Sequence, residues 1–248
     1  MKLHWRAIGL LTVATTTLVP MAGTAVASPS PVAASCFRVT ATIHVATGPF
    51  GVAVNPATNT IYVTNGNQNT VSVIDGQTNK ITATFPGGGS PDVAAVNPRT
   101  DTVYVTNLPG GTVSVIDGQT NKITATVTVG HDPVGIAVNP ATNRIYVVDG
   151  DANTVSVISG RTNKVIATVP VGNSPQGVAV NPATDTIYAT NVFGNDMSVV
   201  DGHTNKVTAT LGVGREPLVV AANPRTHVVY TANFSSNTVS VITRHCPR

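Results

Sequence analysis

Three observations in the sequence predict an all-β chain built from one unit used five times. The stretch IYVTNGNQNTVSVIDGQTNKITAT, residues 61–84, returns in close copy from Val103, Ile145, Ile187 and Val229. Asn-Pro pairs at Asn55, Asn97, Asn139, Asn181 and Asn223 keep a constant step of 42 residues, as do Pro49, Pro91, Pro133, Pro175 and Pro217. Within each unit, four short β-branched runs alternate with turn-forming residues. A period of roughly 40 to 45 residues with four antiparallel strands is that of a β-propeller blade, whereas helical repeats carry a 3.6-residue period. The predicted fold is therefore a five-bladed β-propeller.

The elements of the first unit follow in order. GVAVNP is the first strand, and NPATN after it is a turn, because Pro presets one backbone angle and Asn and Thr side chains bond nearby backbone. TIYVTN and TVSVID are the second and third strands, and DGQTN supplies an Asp-Gly hairpin signal before KITATF, the fourth. Runs such as VSVI are apolar at nearly every position, which suits blades packed on both faces. The tyrosines Tyr62, Tyr104, Tyr146, Tyr188 and Tyr230 share one repeat position and read as blade packing.

The two ends of the repeat array match. VTAT at Val39–Thr42 corresponds to ITAT at Ile81–Thr84, a fourth strand standing ahead of the first complete unit. The last unit, ending in TVSVITRHC, lacks that strand, so the N-terminal strand is expected to close the ring. Cys36 and Cys246 are separated by five periods and coincide in a five-fold ring, which predicts a disulfide at the seam. In the chain-entropy description a loop of that length stabilises by roughly 4 to 5 kcal/mol. The competing reading is a lipid on Cys36, since AASC resembles the acylation signal of lipoproteins, although the apolar residue three before the cysteine is missing.

Lys2 and Arg6 precede an apolar run from Ala7 to Val19 and small residues ending in TAVAS, the pattern of a secretory signal peptide cleaved after Ala27. The domain organisation is thus residues 1–27 as signal peptide, 28–35 as a short N-terminal segment and 36–248 as one propeller domain. A secreted or extracellular location follows, with cell-surface association through a lipid as its variant. No later segment reaches the length of a spanning helix. Without Lys2 and Arg6 the formal charge of +3 falls to near neutrality, 12 Lys and Arg against 11 Asp and Glu, and no basic stripe is left for nucleic acid.

The words YVTN at Tyr62–Asn65 and Tyr104–Asn107, each followed by VSVIDGQTNK, resemble the YVTN-type β-propeller repeat family over Cys36 to Cys246. The resemblance implies the fold more than an activity, because relatives include cell-surface proteins, a periplasmic DNA-binding protein and lactonase-like enzymes. Many of those relatives are seven-bladed, and this chain departs from them with five units.

Comparison among the five copies separates scaffold from variation. Invariant positions read as structure, and the variable ones cluster at two connections that share one face of a propeller. Around the inter-blade prolines stand Phe50, Asp92, His131, Asp132, Arg215, Glu216 and Leu218; the loops between second and third strands carry Phe193 and Phe234. On a five-membered ring Phe193, Phe234, Leu218 and Phe50 are expected to form an apolar sector, with Asp92, His131, Asp132, Asp149 and Asp151 in an acidic one. Such a face suits an extracellular protein or peptide partner, bound by a monomeric scaffold, better than nucleic acid.

Two chemical readings accompany this one. Asp149, Asp151 and Asn153 in DGDAN have the opening spacing of a calcium loop, but the Gly and Glu that complete such a loop do not follow. Otherwise no cofactor is expected. The chain lacks Gly-x-Ser-x-Gly, His-Glu-x-x-His and phosphate-loop motifs, so no catalytic residues are assigned. The alternative function is a lactonase-like or glycosidase-like hydrolase or lyase using Asp92, Asp132 and Glu216, the chain's single glutamate.

Overall fold

In a computed structural model, the structure describes residues 38–108 and 110–243. The expected signal peptide at 1–27, the 28–35 segment, Cys36, Pro109 and Cys246 lie outside the described residues. The sheets belong to a compact unit spanning Ala41–Arg248.

Each repeat folds as one antiparallel meander. The first sheet is β1 (Pro49–Asn55), β2 (Thr60–Asn65), β3 (Thr70–Asp75) and β4 (Lys80–Pro86). The second is β5 (Pro91–Asn97), β6 (Thr102–Asn107), β7 (Thr112–Asp117) and β8 (Lys122–Thr128). The third is β9 (Pro133–Asn139), β10 (Arg144–Asp149), β11 (Thr154–Ser159) and β12 (Lys164–Pro170). The fourth is β13 (Pro175–Asn181), β14 (Thr186–Asn191), β15 (Asp196–Asp201) and β16 (Lys206–Gly212). The fifth has three strands, β17 (Pro217–Ala222), β18 (Val229–Asn233) and β19 (Thr238–Ile242). The architecture is all-β and propeller-like, with five sheets in sequence.

Registry repeats with the sequence. On one face of the first sheet Ala53, Tyr62, Val73 and Ala83 lie side by side across the four strands; on the other, Val54, Ile61, Ile74 and Ile81 do. The Tyr face of each sheet packs on the Val/Ile face of the next. Tyr62, Val71 and Val73 of the first sheet therefore share a core with Ala94, Val103, Val105 and Ile116 of the second. The same arrangement recurs at the next three junctions, around Tyr104 and Ile145, Tyr146 and Ile187, and Met197 and Val229. The hydrophobic core is thus four slabs between sheets, where burial of side chains at roughly 25 cal/mol per Å² supplies the main cohesion.

Polar groups stitch the same junctions. Asn55, Asn97 and Asn139 donate through Nδ2 to Asp101, Asn143 and Asp185 of the following sheet at 2.6, 2.8 and 2.6 Å, and Asn181 meets His227 Nδ1 at 3.1 Å. The acceptors Asp101, Asn143, Asp185 and His227, with Asn59 at the same place, have φ between 48° and 58°, which Asn and Asp tolerate better than most residues. Burial pushes the hydroxyls of Tyr62, Tyr104 and Tyr146 up to about 12, so these tyrosines stay neutral.

DGQTN joins β3 to β4 as the expected hairpin, through residues 76–79: Asp75 Oδ1 accepts from the Gln77 and Thr78 amides at 2.9 and 2.7 Å, and Asn79 takes the left-handed position. Gly76 is required by space, since a Cβ there would lie 2.5 Å from Asn59 Oδ1. One expectation needs correction: the fourth strand of the last sheet is not formed, because the fifth sheet ends at β19 and residues 38–45 carry no strand. First strands pack in the order β1, β5, β9, β13, β17, and β17 is not packed back onto β1.

Candidate functional site

The two variable connections do share one end of the sheets, and backbone hydrogen bonds hold them together. The residue opening each loop after the second strand donates to the residue before the inter-sheet proline: Gly66 to Gly48 at 2.9 Å, Leu108 to Ser90 at 3.1, Gly150 to Asp132 at 2.7, Val192 to Ser174 at 3.0 and Phe234 to Glu216 at 2.9. A second tie crosses from each loop to the connection that follows it. Asn69, Asn153 and Asn195 accept through Oδ1 from the amides of Ser90, Ser174 and Glu216 at 2.6, 2.7 and 2.9 Å. The loop end is a braced surface on which side chains can vary without loss of the backbone.

Asp132 and Glu216 stand where the chain needs a left-handed backbone. Their φ values are 59° and 52°, matching Ser90 and Ser174 and the glycine at Gly48. Asp adopts this region with modest cost, whereas glutamate is an unusual occupant, and strain of this kind concentrates at working sites.

Glu216 lines a solvent-open cleft of about 260 Å³ with Val192, Phe193, Asn195, Arg215 and Ser235. Ser235 Oγ donates to Glu216 Oε2 at 2.5 Å, and the Ser235 amide donates to the Arg215 carbonyl at 3.2 Å. Phe193 stays 69% exposed on this cleft and Phe234 63% exposed beside it, so two aromatic rings stand in water next to an exposed guanidinium. Phe234 also borders a second, apolar concavity with Leu218, Val219, Ala232 and Val239 on the last sheet.

The structure therefore brings together Phe193, Arg215, Glu216, Leu218 and Phe234 at the fourth and fifth sheets. Phe50, on β1, is 69% exposed, but the first sheet is not packed on the last, so it does not join them. Asp92 is the second residue of β5 and its carbonyl accepts from Thr64 Oγ1 at 2.6 Å; His131 and Asp132 lie at the connection into β9. The three carboxylates Asp92, Asp132 and Glu216 thus rise from three different connections, and Glu216 is the one that lines the cleft.

Asp149 leaves the expected acidic sector altogether. It is fully buried and accepts through Oδ2 from Thr154 Oγ1 at 2.9 Å and Ser156 Oγ at 2.7 Å. Burial raises its pKa above the ordinary carboxylate range, and the two hydroxyls only partly offset this. With Asn153 engaged on Ser174 and Asp151 exposed, DGDAN is a braced turn. Among the described residues no group of three or more His, Cys, Asp or Glu side chains is placed to hold a metal ion. Ser235 was a cleft residue the sequence could have offered, because it sits in the variable loop beside Phe234.

No protein-family model matches this sequence, so the likeness to YVTN repeats stays with the residues that carry it. No curated protein matches it either. Among solved structures the fold is similar to that of a functionally unknown protein from Desulfotomaculum acetoxidans, with a TM-score of 0.70, 18% identity, 81% of this chain covered and 71% of the other. A weaker similarity is to Kuenenia stuttgartiensis hydrazine synthase, with a TM-score of 0.49, 16% identity, and coverage of 84% and 99%. The first of these likenesses, with the repeated four-stranded sheets, defines the class: a repeat protein with a β-propeller-like fold.

Proposed function

We propose that the protein is a secreted five-bladed β-propeller that serves as a non-enzymatic binding scaffold, taking an extracellular peptide or protein segment at its loop end. In this reading Cys36 pairs with Cys246, which stand five periods apart in the sequence. The observation that carries the binding reading is the exposed pair Phe193 and Phe234 beside Arg215, on loops whose backbones are braced. Large exposed aromatics next to an arginine are typical anchors of interfaces, and a rigid platform reduces the ordering cost of binding. The complementary ligand is an extended segment with one apolar side chain for the rings and a carboxylate for Arg215.

Selection from a displayed random-peptide library against the immobilised protein tests this. Enriched peptides should bind the wild type and lose at least tenfold in affinity when Phe193, Phe234 and Asp132 are all changed to alanine. Equal binding to the triple variant would refute the site.

A hydrolytic reading draws on one observation, the Glu216 carboxyl held by Ser235 in a left-handed backbone. Turnover of glycosides or lactones that disappears in Glu216→Gln would favour this reading over the scaffold.

A further inference from the structure

The turns from third to fourth strand lie at the end of the sheets opposite the loop end, and the one in the third sheet departs from its copies. In the first, second and fourth sheets the turn opens with Asp75, Asp117 and Asp201. Each carboxylate accepts through Oδ1 from the amides two and three residues on, at 2.7 to 3.0 Å. It also accepts from the hydroxyl of Thr78, Thr120 or Thr204, at 3.0 to 3.1 Å. These bonds hold all three carboxyls below the ordinary carboxylate range. The turn is thus a carboxylate receptor that the chain itself fills.

The third sheet keeps the receptor and has a serine in place of the carboxylate. Its turn is SGRTNK, residues 159–164. The backbone is the same: Gly160 donates to the Asn143 carbonyl at 2.9 Å and Asn163 to the Ser159 carbonyl at 2.8 Å, with Asn163 at φ 52°. The Thr162 amide reaches only the Ser159 carbonyl, at 3.3 Å. Among the described residues no side chain accepts from the Arg161 amide or the Thr162 hydroxyl. Cations surround this turn. Arg161 stands where the other turns have Gln77, Gln119 and His203. Arg144 lies across the ladder from Ser159, where the other sheets set Thr60, Thr102 and Thr186 against their aspartates. Lys164 faces Ser159 from β12, whereas Lys80, Lys122 and Lys206 each face an aspartate. Arg161, Thr162 and Lys164 are exposed. The Arg144 guanidinium donates to the Gly202 carbonyl of the fourth sheet, and Asp185, which meets Tyr146 there, already accepts from Asn139.

We propose that the turn at residues 159–164 is a carboxylate-binding site, in which the Arg161 and Thr162 amides and the Thr162 hydroxyl take an acidic side chain of a peptide or protein partner while Arg161 and Lys164 neutralise it. The site lies away from the loop end and is independent of the reading given to that surface. Carboxylate is the chemistry because three copies of the same turn already hold one with the same donors. Selectivity among the four turns follows from charge: an incoming carboxylate meets a seated one at the other three and only cations here. The carboxylate belongs to a larger partner because the turn is open to water, where a small free anion keeps its hydration and gains little, whereas a peptide adds contacts on either side.

Amide NMR shifts of the intact chain in dilute buffer test the site, with an acetylated and amidated tetra-aspartate peptide as the probe and acetate and inorganic phosphate as the free-anion arms. The Arg161 and Thr162 amides should move on addition of peptide, while those of Gln77, Thr78, Gln119 and Thr120 stay in place. Ser159→Asp restores the repeat's own residue and so keeps the fold; it should weaken peptide binding roughly tenfold, the worth of one charge-assisted hydrogen bond. Ser159→Asn offers the turn amides an acceptor without charge and should also weaken binding. Wild-type affinity in Ser159→Asn would overturn the receptor in favour of general attraction to the cations, as would equal shifts at all four turns. Acetate binding as tightly as the peptide would overturn the partner in favour of a free carboxylate, and phosphate binding more tightly than either would overturn the carboxylate assignment.

Discussion

Asp149 is the residue at which one copy of the repeat breaks its own rule. In the other four sheets the equivalents Asn65, Asn107, Asn191 and Asn233 donate through Nδ2 to the next strand's serine hydroxyl at 2.9 to 3.0 Å. An ionised carboxylate in that buried place must instead accept from Thr154 and Ser156 and lose its hydration. Its folded-state pKa is raised, so the folded protein holds the proton more tightly than the unfolded chain. Stability from this group is therefore greatest at low pH and declines as pH rises from the ordinary carboxylate value through the raised one. Asp149→Asn should stabilise by about 1–3 kcal/mol at neutral pH, and the gain should shrink in mildly acidic buffer. Chemical denaturation at the two pH values checks both statements. The sequence displayed Asp149 as a metal ligand because its spacing was visible and its burial was not.

At the scale of elements, the strands and their order were legible because each run has the β-branched pattern and the register never slips over five copies. The loop end was legible too, since both variable connections lie where the meander brings them together. What escaped were features set by another segment. The left-handed backbone at Glu216 and Asp132 serves hydrogen bonds to a loop about twenty residues away, and the role of Gly76 depends on Asn59. The third-to-fourth strand turns follow local chemistry once seen: amides at Thr78, Thr120 and Thr204 lower the pKa of Asp75, Asp117 and Asp201. Their contribution is complete above the unfolded carboxylate pKa and is lost as pH falls through the lowered values. Replacing these three by alanine should flatten the acid side of the stability profile, measured as Tm against pH. In the slabs, Ile145→Ala should cost about 2–5 kcal/mol, while Phe193→Ala and Phe234→Ala, exposed at the loop end, should leave the urea midpoint within experimental error.

For the whole molecule, periodicity was sufficient to name five sheets and their packing partners, yet it did not determine whether the array would bend until its ends met. That outcome depends on a small angle at each of four junctions, which no local pattern encodes. The account holds that the repeat is a junction rule applied at four junctions and, in the proposed five-bladed ring, at a fifth, with the loop end as the surface left for a partner. Its most direct test is the reactivity of a thiol at Val239→Cys in a chain where Cys36→Ser and Cys246→Ser remove the native thiols. The account predicts labelling by a maleimide as slow as that of Val113→Cys, whose site is fully buried. Labelling at the rate of a thiol placed on the exposed loop at Phe193→Cys would contradict it.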